Sequence, residues 1–142
     1  MINQLSVFVE NRNGAIMEVT GILCGSGIDL RAMSIADSRD FGVVRLLVDR
    51  PEAARELLKE NGITSTLTPV IGVEVPDRPG TFHKMLTALY EAEIMVEYTY
   101  AFVAPETGTA YAILRVPDVD LAAKAITGVG MRLLQDEEVY RI

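Results

Sequence analysis

A shift of 66 residues superimposes one half of the sequence on the other. The matching positions comprise an apolar alternation, a glycine turn, a second apolar segment, a glycine and a proline. In order they are Leu5, Val7 and Val9 on Ile71, Val73 and Val75; 11–14 on 77–80; 28–30 on 94–96; Gly42 on Gly108; and Pro51 on Pro117. So many kinds of match in one register indicate the tandem duplication of one structural unit.

Each half has the pattern of strand, helix, strand, strand, helix, strand. The alternation at 5–9 predicts a strand with one buried face, and apolar spacings of three and four after the glycine turn predict a helix. Further strands are predicted over 30–36, 43–48 and 64–68, and over 96–103, 110–116 and 133–140 in the repeat. Pro51 and Pro117 mark the start of a second helix in each half, with stripes at Ala54, Leu57 and Leu58 and at Leu121, Ala122, Ala125 and Ile126.

This order predicts an α+β fold of two tandem ferredoxin-like βαββαβ modules, each an antiparallel sheet with helices on one face. The expected domains are residues 1–68 and 69–142.

Composition narrows the possible functions. The 142 residues carry 13 basic and 20 acidic side chains, a net charge of −7, and the basic residues are scattered singly. Nucleic-acid binders and anionic membrane surfaces call for clustered basic residues, so neither partner is expected. No apolar run is long enough to span a membrane and no secretory signal begins the chain, which favours a cytoplasmic location.

The residues that carry chemistry are few. Cys24 is the only cysteine and His83 the only histidine, so no disulfide or histidine-rich metal site is predicted, and no cofactor is expected. Cys24 is expected to be a small buried residue of the first helix. The alternating aromatic residues Tyr98, Tyr100 and Phe102 are expected in a core or an interface.

The glycine turns carry a family resemblance. A strand ending in Asp77-Arg78-Pro79-Gly80, then an amphipathic helix and a strand that opens with Ile94-Met95-Val96, resembles the ACT domain, a small regulatory module that binds amino acids. The first copy, with Asn11-Arg12-Asn13-Gly14 and Ile28-Asp29-Leu30, is a looser match, since Asn13 stands at the proline position. Together the two copies cover essentially the whole chain.

The resemblance implies a ligand site between two modules, with no catalytic residue. It combines the first loop of one module with the opening of the second strand of another. The residues implied are Asn11, Arg12, Asn13, Gly14, Ala15, Ile28, Asp29 and Leu30, and in the repeat Asp77, Arg78, Pro79, Gly80, Thr81, Ile94, Met95 and Val96.

Physical chemistry supports a zwitterionic ligand there. A glycine turn lets backbone N–H groups approach a ligand, and a helix N-terminus attracts a carboxylate. Arg12 and Arg78 can pair with the carboxylate, while Asn11, Asn13, Asp29 or Asp77 can accept from the ammonium group. The plainer interpretation of both loops is a turn that caps a helix.

The sequence thus favours a non-catalytic regulatory protein that binds a free amino acid. A homodimer is expected, because exposed sheet edges tend to be covered, and the regulated partner is an enzyme or transporter in trans. One alternative is an RNA-binding module of the same strand order, although only Phe41-Gly42 fits that pattern. The other is a small enzyme, for which catalytic residues are sparse.

Overall fold

Local sequence signals set most of the elements in the computed structural model, which describes residues 1–37 and 39–141. In chain order these are β1 (Ile2–Glu10), α1 (Ala15–Gly25), β2 (Leu30–Asp37), β3 (Phe41–Val48), α2 (Pro51–Glu60), β4 (Ser65–Pro76), α3 (Thr81–Glu91), β5 (Tyr98–Val103), β6 (Thr109–Arg115), α4 (Val119–Gly128), β7 (Arg132–Leu133) and α5 (Asp136–Tyr140). The predicted order of strands and helices is therefore present in both repeats. Ile142, the last residue of the expected second domain, lies outside the described part.

The chain divides into two compact units. The first unit contains Asn3–Thr68 together with residues 137–141, and the second contains Met1–Ile2 together with Pro69–Asp136.

The first unit has an antiparallel sheet in the order β2-β3-β1-β4, to which β4 contributes its first residues. Val7 lies opposite Val44, which in turn lies opposite Ile35. Ser6 Oγ and Thr68 Oγ1 share a hydrogen bond of 2.8 Å where β1 and β4 are neighbours. The predicted burial of Leu5 and Val7 is confirmed, but the alternation is incomplete, because Ser6 on the other face is buried as well.

The second unit repeats this arrangement with β6 between β4 and β5. Val73 lies opposite Ala112, and Ala112 lies opposite Ala101. The two-residue β7 pairs with β4 on its other side, with Leu133 opposite Val73. An α+β fold of two ferredoxin-like modules is confirmed.

Each unit buries the apolar face of its helices against its sheet. The first core contains Leu5, Val7, Val19, Leu23, Val44, Leu46, Ala54 and Leu58. The second contains Val73, Val75, Met85, Leu89, Leu114, Val116, Ala122 and Ile126. Each large aliphatic side chain stabilises its unit by roughly 1.5–3 kcal/mol through burial.

The two prolines act differently at their helices. Pro51 is the first residue of α2, as predicted. Pro117 precedes α4 by two residues, because Asp118 takes the N-cap position and its Oδ1 accepts from the backbone N–H of Leu121 at 3.0 Å. A carboxylate N-cap satisfies a donor that proline cannot serve.

Two strand predictions are wrong in extent. The strands expected at 64–68 and 71–75 form one continuous strand of 12 residues, β4, although Pro69 lacks an N–H. Its carbonyl still accepts from Arg115 Nη1 at 2.9 Å. β5 begins at Tyr98 rather than at Val96.

The predicted strand at 133–140 is also wrong. β7 ends at Leu133, and α5 follows. Val139 is fully buried, and the Tyr140 hydroxyl accepts from the backbone N–H of Asn3 at 2.6 Å. These contacts within the first unit favour a helical turn over the strand preference of the local sequence.

Two side chains expected in the cores are outside them. Leu121 is 47% exposed and Cys24 is exposed, so the predicted burial of Cys24 is wrong. The stripe of α1 at Val19 and Leu23 directs Cys24, next in sequence, away from the core.

Candidate functional site

Each predicted loop contains a glycine in the left-handed backbone conformation, which residues with a side chain rarely adopt. Gly14 has a φ of 87° at the N-cap of α1, and Gly80 has a φ of 89° at the N-cap of α3. A side chain is strained in this conformation. Glycine therefore sets the turn that leads each chain segment from its strand into its helix.

The two loops share their backbone hydrogen bonds. Three backbone hydrogen bonds of the first loop recur at the matching positions of the second. In the first loop, Arg12 N donates to Glu10 O at 2.9 Å, Ala15 N to Arg12 O at 3.3 Å and Glu18 N to Gly14 O at 2.9 Å. In the second loop, Arg78 N donates to Pro76 O at 2.9 Å, Thr81 N to Arg78 O at 3.4 Å and Lys84 N to Gly80 O at 3.0 Å. The duplication thus preserves the loop conformation although Pro79 replaces Asn13.

Glycine at the N-cap leaves helix donors without acceptors. Neither helix has a side-chain cap. Within the described ranges no acceptor is found for the backbone N–H of Ile16 and Met17, or of Phe82 and His83. Such N–H pairs, at the positive end of a helix dipole, favour an anion.

The arginine of the first loop is already engaged. Arg12 Nη2 and Nη1 donate to the two carboxylate oxygens of Glu18 at 2.6 and 3.2 Å. This bidentate pair raises the pKa of Arg12 and lowers the pKa of Glu18, through the hydrogen bond first and the Coulomb attraction second. Both residues remain charged at neutral pH, and the Arg12 guanidinium is committed to Glu18.

The second loop has the opposite charge pattern. Lys84 stands at the repeat position of Glu18, and Arg78, His83 and Lys84 are all exposed. No ion pair or hydrogen bond of the Arg78 side chain is found among residues 1–37 and 39–141. Thr81 Oγ1 donates to the carbonyl of Arg78 at 2.9 Å, which holds the loop against its helix.

Asn11, Asn13, Asp77 and Pro79 are exposed, and two of them are held through the backbone. Asn11 N donates to Asp40 O at 3.0 Å, and Asp77 N donates to Gly108 O at 2.8 Å. Asn13 and Pro79 lie at the tips of the two loops. Ala15 is 4% exposed and anchors the first turn of α1.

The predicted strand opening of the first repeat lies at the other end of α1. Ile28 is buried, Leu30 is half-buried and Asp29 is exposed. The Asp29 carboxylate accepts from Arg31 Nη1 at 3.0 Å, and its backbone N–H donates to Asp49 Oδ1 at 3.0 Å. Asp29 is therefore held in place by charged neighbours.

The opening in the second repeat is less polar. Ile94 is buried, Val96 is half-buried and Met95, at the repeat position of Asp29, is 69% exposed. An ammonium group would meet no carboxylate from this position.

Loop and strand opening of one unit lie in separate clefts. Arg12 and Ala15 line a cleft of about 290 Å³ with Glu18 and 62–64. The segment 28–30 lines another of about 500 Å³ with Met17, Thr20, Gly21 and Cys24 of α1. The 11 residues of α1 place the loop and the segment 28–30 roughly 16 Å apart along the helix axis, although Met17 of the first turn borders the second cleft. Ile94 and Met95 likewise line a cleft of about 500 Å³ without residues of the second loop.

Sequence reasoning missed two parts of this arrangement. The spacing Met17, Gly21 and Cys24 indicates one helical face, and that face lines the cleft at 28–30. Glu18, in the first turn of α1, was not predicted to take the Arg12 guanidinium.

Comparisons with known proteins identify the fold family. The sequence profile of the ACT domain pair matches residues 1–142. Protein BT0572 from Bacteroides thetaiotaomicron is 32% identical, with a TM-score of 0.92 over 99% of this chain and 96% of that chain. The ligand-free regulatory subunit of aspartate kinase from Thermus thermophilus is 18% identical, with a TM-score of 0.68 over 90% of both chains. The corresponding subunit from Thermus flavus is 15% identical, with a TM-score of 0.60 over 92% of this chain and 94% of that one. No curated protein matches the sequence.

The chain belongs to the ACT domain family, as a pair of ACT domains. ACT domains are regulatory modules, which places the chain in a regulatory class of proteins. None of the helices in the described ranges is long and apolar enough to cross a membrane.

Proposed function

We propose that this protein is a non-catalytic regulator that binds a free amino acid and passes the signal on through its homodimeric state to an enzyme or transporter in trans. The segments 1–68 and 69–142 supply one module each, apart from Met1–Ile2 and residues 137–141, which belong to the other compact unit. The ligand lies between the glycine loop of one module and the strand opening of another.

The observation that supports this function is the repeated pair of backbone donors. Phe82 and His83 in one repeat, and Ile16 and Met17 in the other, present N–H groups behind a left-handed glycine, and no acceptor for them is found among residues 1–37 and 39–141. A carboxylate accepts from two adjacent N–H groups and gains from the helix dipole. A plain helix cap would instead supply a side-chain oxygen to these donors.

The second loop is the stronger carboxylate site of the two. Arg78 is exposed and unpaired within the described part, whereas Arg12 is held by Glu18. Lys84 adds a second positive charge one turn into the helix. Asp77, next to Arg78, is the acceptor for the ammonium group.

Thermal unfolding in the presence of each of the twenty amino acids tests the function. A ligand at 100 times its Kd stabilises the folded protein by about 2.7 kcal/mol, which raises Tm by several degrees. Arg78→Gln should weaken binding of the identified amino acid about tenfold, since it removes a charge-assisted partner of the carboxylate.

Arg12→Gln is the matched control, at the same repeat position. It should leave the affinity unchanged, because Arg12 is committed to Glu18. Failure of every amino acid to shift Tm, or equal losses in the two variants, would contradict the proposed site.

A further inference from the structure

The fold brings two side chains of the first repeat together beside its glycine loop. These are Arg12 and Glu18, which are six residues apart and share two hydrogen bonds of 2.6 and 3.2 Å. The backbone hydrogen bonds that set the path between them recur in the second repeat. A side chain at position 84 is therefore within reach of the side chain at position 78, as Glu18 is of Arg12.

In the second repeat both side chains at this point are cations. The backbone N–H of Lys84 donates to Gly80 O at 3.0 Å, one helical turn back, so Lys84 lies on the face of α3 that follows directly from the loop. Long side chains of a helix lean toward its N-terminus, which directs the Lys84 amine toward Arg78. An ion pair of the first repeat is thus replaced by two neighbouring positive charges.

No carboxylate of the described part of the chain neutralises these two cations. Neither the Arg78 nor the Lys84 side chain forms an ion pair or a hydrogen bond there. The carboxylates of Asp77, in the loop, and of Glu106, in the neighbouring turn, are exposed and form no ion pair in that part either. Two cations remain available to a ligand at this loop.

The charge of the two glycine loops differs accordingly. Residues 10–18 contain one arginine and two glutamates, a net charge of −1, whereas residues 76–84 contain an arginine, a lysine and an aspartate, a net charge of +1. An amino acid with an uncharged side chain has no net charge and leaves this +1 uncompensated. Aspartate and glutamate have a net charge of −1 at neutral pH, because the side-chain carboxyl group is ionised.

We propose that the second loop binds an amino acid whose side chain is a carboxylate. The α-carboxylate accepts from the backbone N–H groups of Phe82 and His83, and the ammonium group lies at Asp77. The side-chain carboxylate lies between Arg78 and Lys84. The five N–H donors of Arg78 allow it to contact both carboxylates. The inference rests on the proposed function, because it specifies the ligand of that same site.

Isothermal titration calorimetry of the full chain with aspartate, glutamate and their amides asparagine and glutamine tests this ligand class. Each acid has the size and shape of its amide and differs in charge alone. At least one acid should bind about tenfold more tightly than its amide, because hydrogen bonds between ionised groups are roughly twice as strong as those between neutral groups.

Lys84→Gln should weaken binding of that acid about tenfold and leave the affinity for its amide unchanged, since the amide offers Lys84 no charge. Lys124→Gln is the matched control. It removes the same charge from an exposed position of α4 and should leave every affinity unchanged. Both lysines are exposed, so both variants should unfold at the wild-type Tm in the absence of ligand.

An uncharged amino acid that binds as tightly as the acid would overturn the acidic ligand and leave the amino-acid site standing. An unchanged affinity for the acid in Lys84→Gln, or equal losses for the acid and its amide, would do the same. Inorganic phosphate or succinate that binds as tightly as the acid would overturn recognition of an amino acid, because neither has an ammonium group. Failure of all twenty amino acids to bind would overturn the proposed function as well.

Discussion

Arg12 and Arg78 occupy one position of the repeat, yet their charged surroundings differ, above all through the replacement of Glu18 by Lys84. Glu18 binds Arg12 through both carboxylate oxygens, while Lys84 at the matching position leaves Arg78 available. The backbone hydrogen bonds of the two loops are the same, so the loops differ in their side-chain charges rather than in fold.

Exchanging these charges should exchange the properties of the loops. Lys84→Glu gives Arg78 the partner that Arg12 has, and amino-acid binding at the second loop should weaken about tenfold or more through lost charge. Glu18→Lys should release Arg12 from its bidentate partner, leaving only Glu10 at 3.7 Å, and should add a second binding event per chain. Isothermal titration calorimetry measures both the affinity and the stoichiometry. Unchanged binding in Lys84→Glu would show that the carboxylate does not reach this loop.

Gly72 of β4 is required for packing rather than for a turn. A Cβ at this position would lie 2.7 Å from Ile2 Cδ1 and 3.2 Å from Leu134 Cβ. Gly72→Ala should therefore destabilise the protein by roughly 1–3 kcal/mol through overpacking.

Gly21→Ala is the matched control in urea unfolding. Nothing lies within 4 Å of a Cβ at Gly21, and its φ is negative. Since alanine is the better helix former, this change should stabilise by about 0.5–1 kcal/mol. Equal effects of the two substitutions would contradict the packing described for Gly72.

At the scale of elements, hydrophobic periodicity predicts the secondary structure of a segment only where the apolar residues that set the period are themselves buried. β1 and α1 follow from Val7, Val19 and Leu23, because the same side chains that set the period are buried. α5 does not follow, because it depends on Val139 and on a hydrogen bond to Asn3, which is 137 residues away. The continuity of β4 through Pro69 has the same origin, since the neighbouring strands hold it on both sides of the proline.

The glycine loops could be predicted for the same local reason. A left-handed residue before an amphipathic helix needs glycine, and both Gly14 and Gly80 are found there. The ion pair of Arg12 could not be predicted, because it depends on the path of the loop, which brings Glu18, six residues away, within hydrogen-bonding distance.

The hydrogen bond between α5 and Asn3 can be tested by a substitution. Tyr140→Phe leaves the backbone N–H of Asn3 without its 2.6 Å acceptor and should cost about 1–3 kcal/mol of stability. Tyr90→Phe is the control, as Tyr90 is 81% exposed. Chemical denaturation of both variants compares them, and equal stability would argue against a structural role for the Tyr140 hydroxyl.

At the scale of the whole molecule, the duplication gives two units of the same design with different surfaces. The cores are equivalent in position, from Val7 and Val73 on the sheets to Leu23 and Leu89 on the helices. The charges around the glycine loops and along β2 and β5 are not equivalent. We infer that the two copies differ in ligand binding, which the charges around the second loop favour.

An NMR titration of the ¹⁵N-labelled chain with the amino acid that raises Tm addresses amino-acid binding at the glycine loops most directly. The backbone amide signals of Phe82 and His83 should move on saturation, with smaller changes at Ile16 and Met17, because these N–H groups donate to the carboxylate. Shifts confined to other parts of the chain, or none at saturating concentrations of any amino acid, would contradict the account.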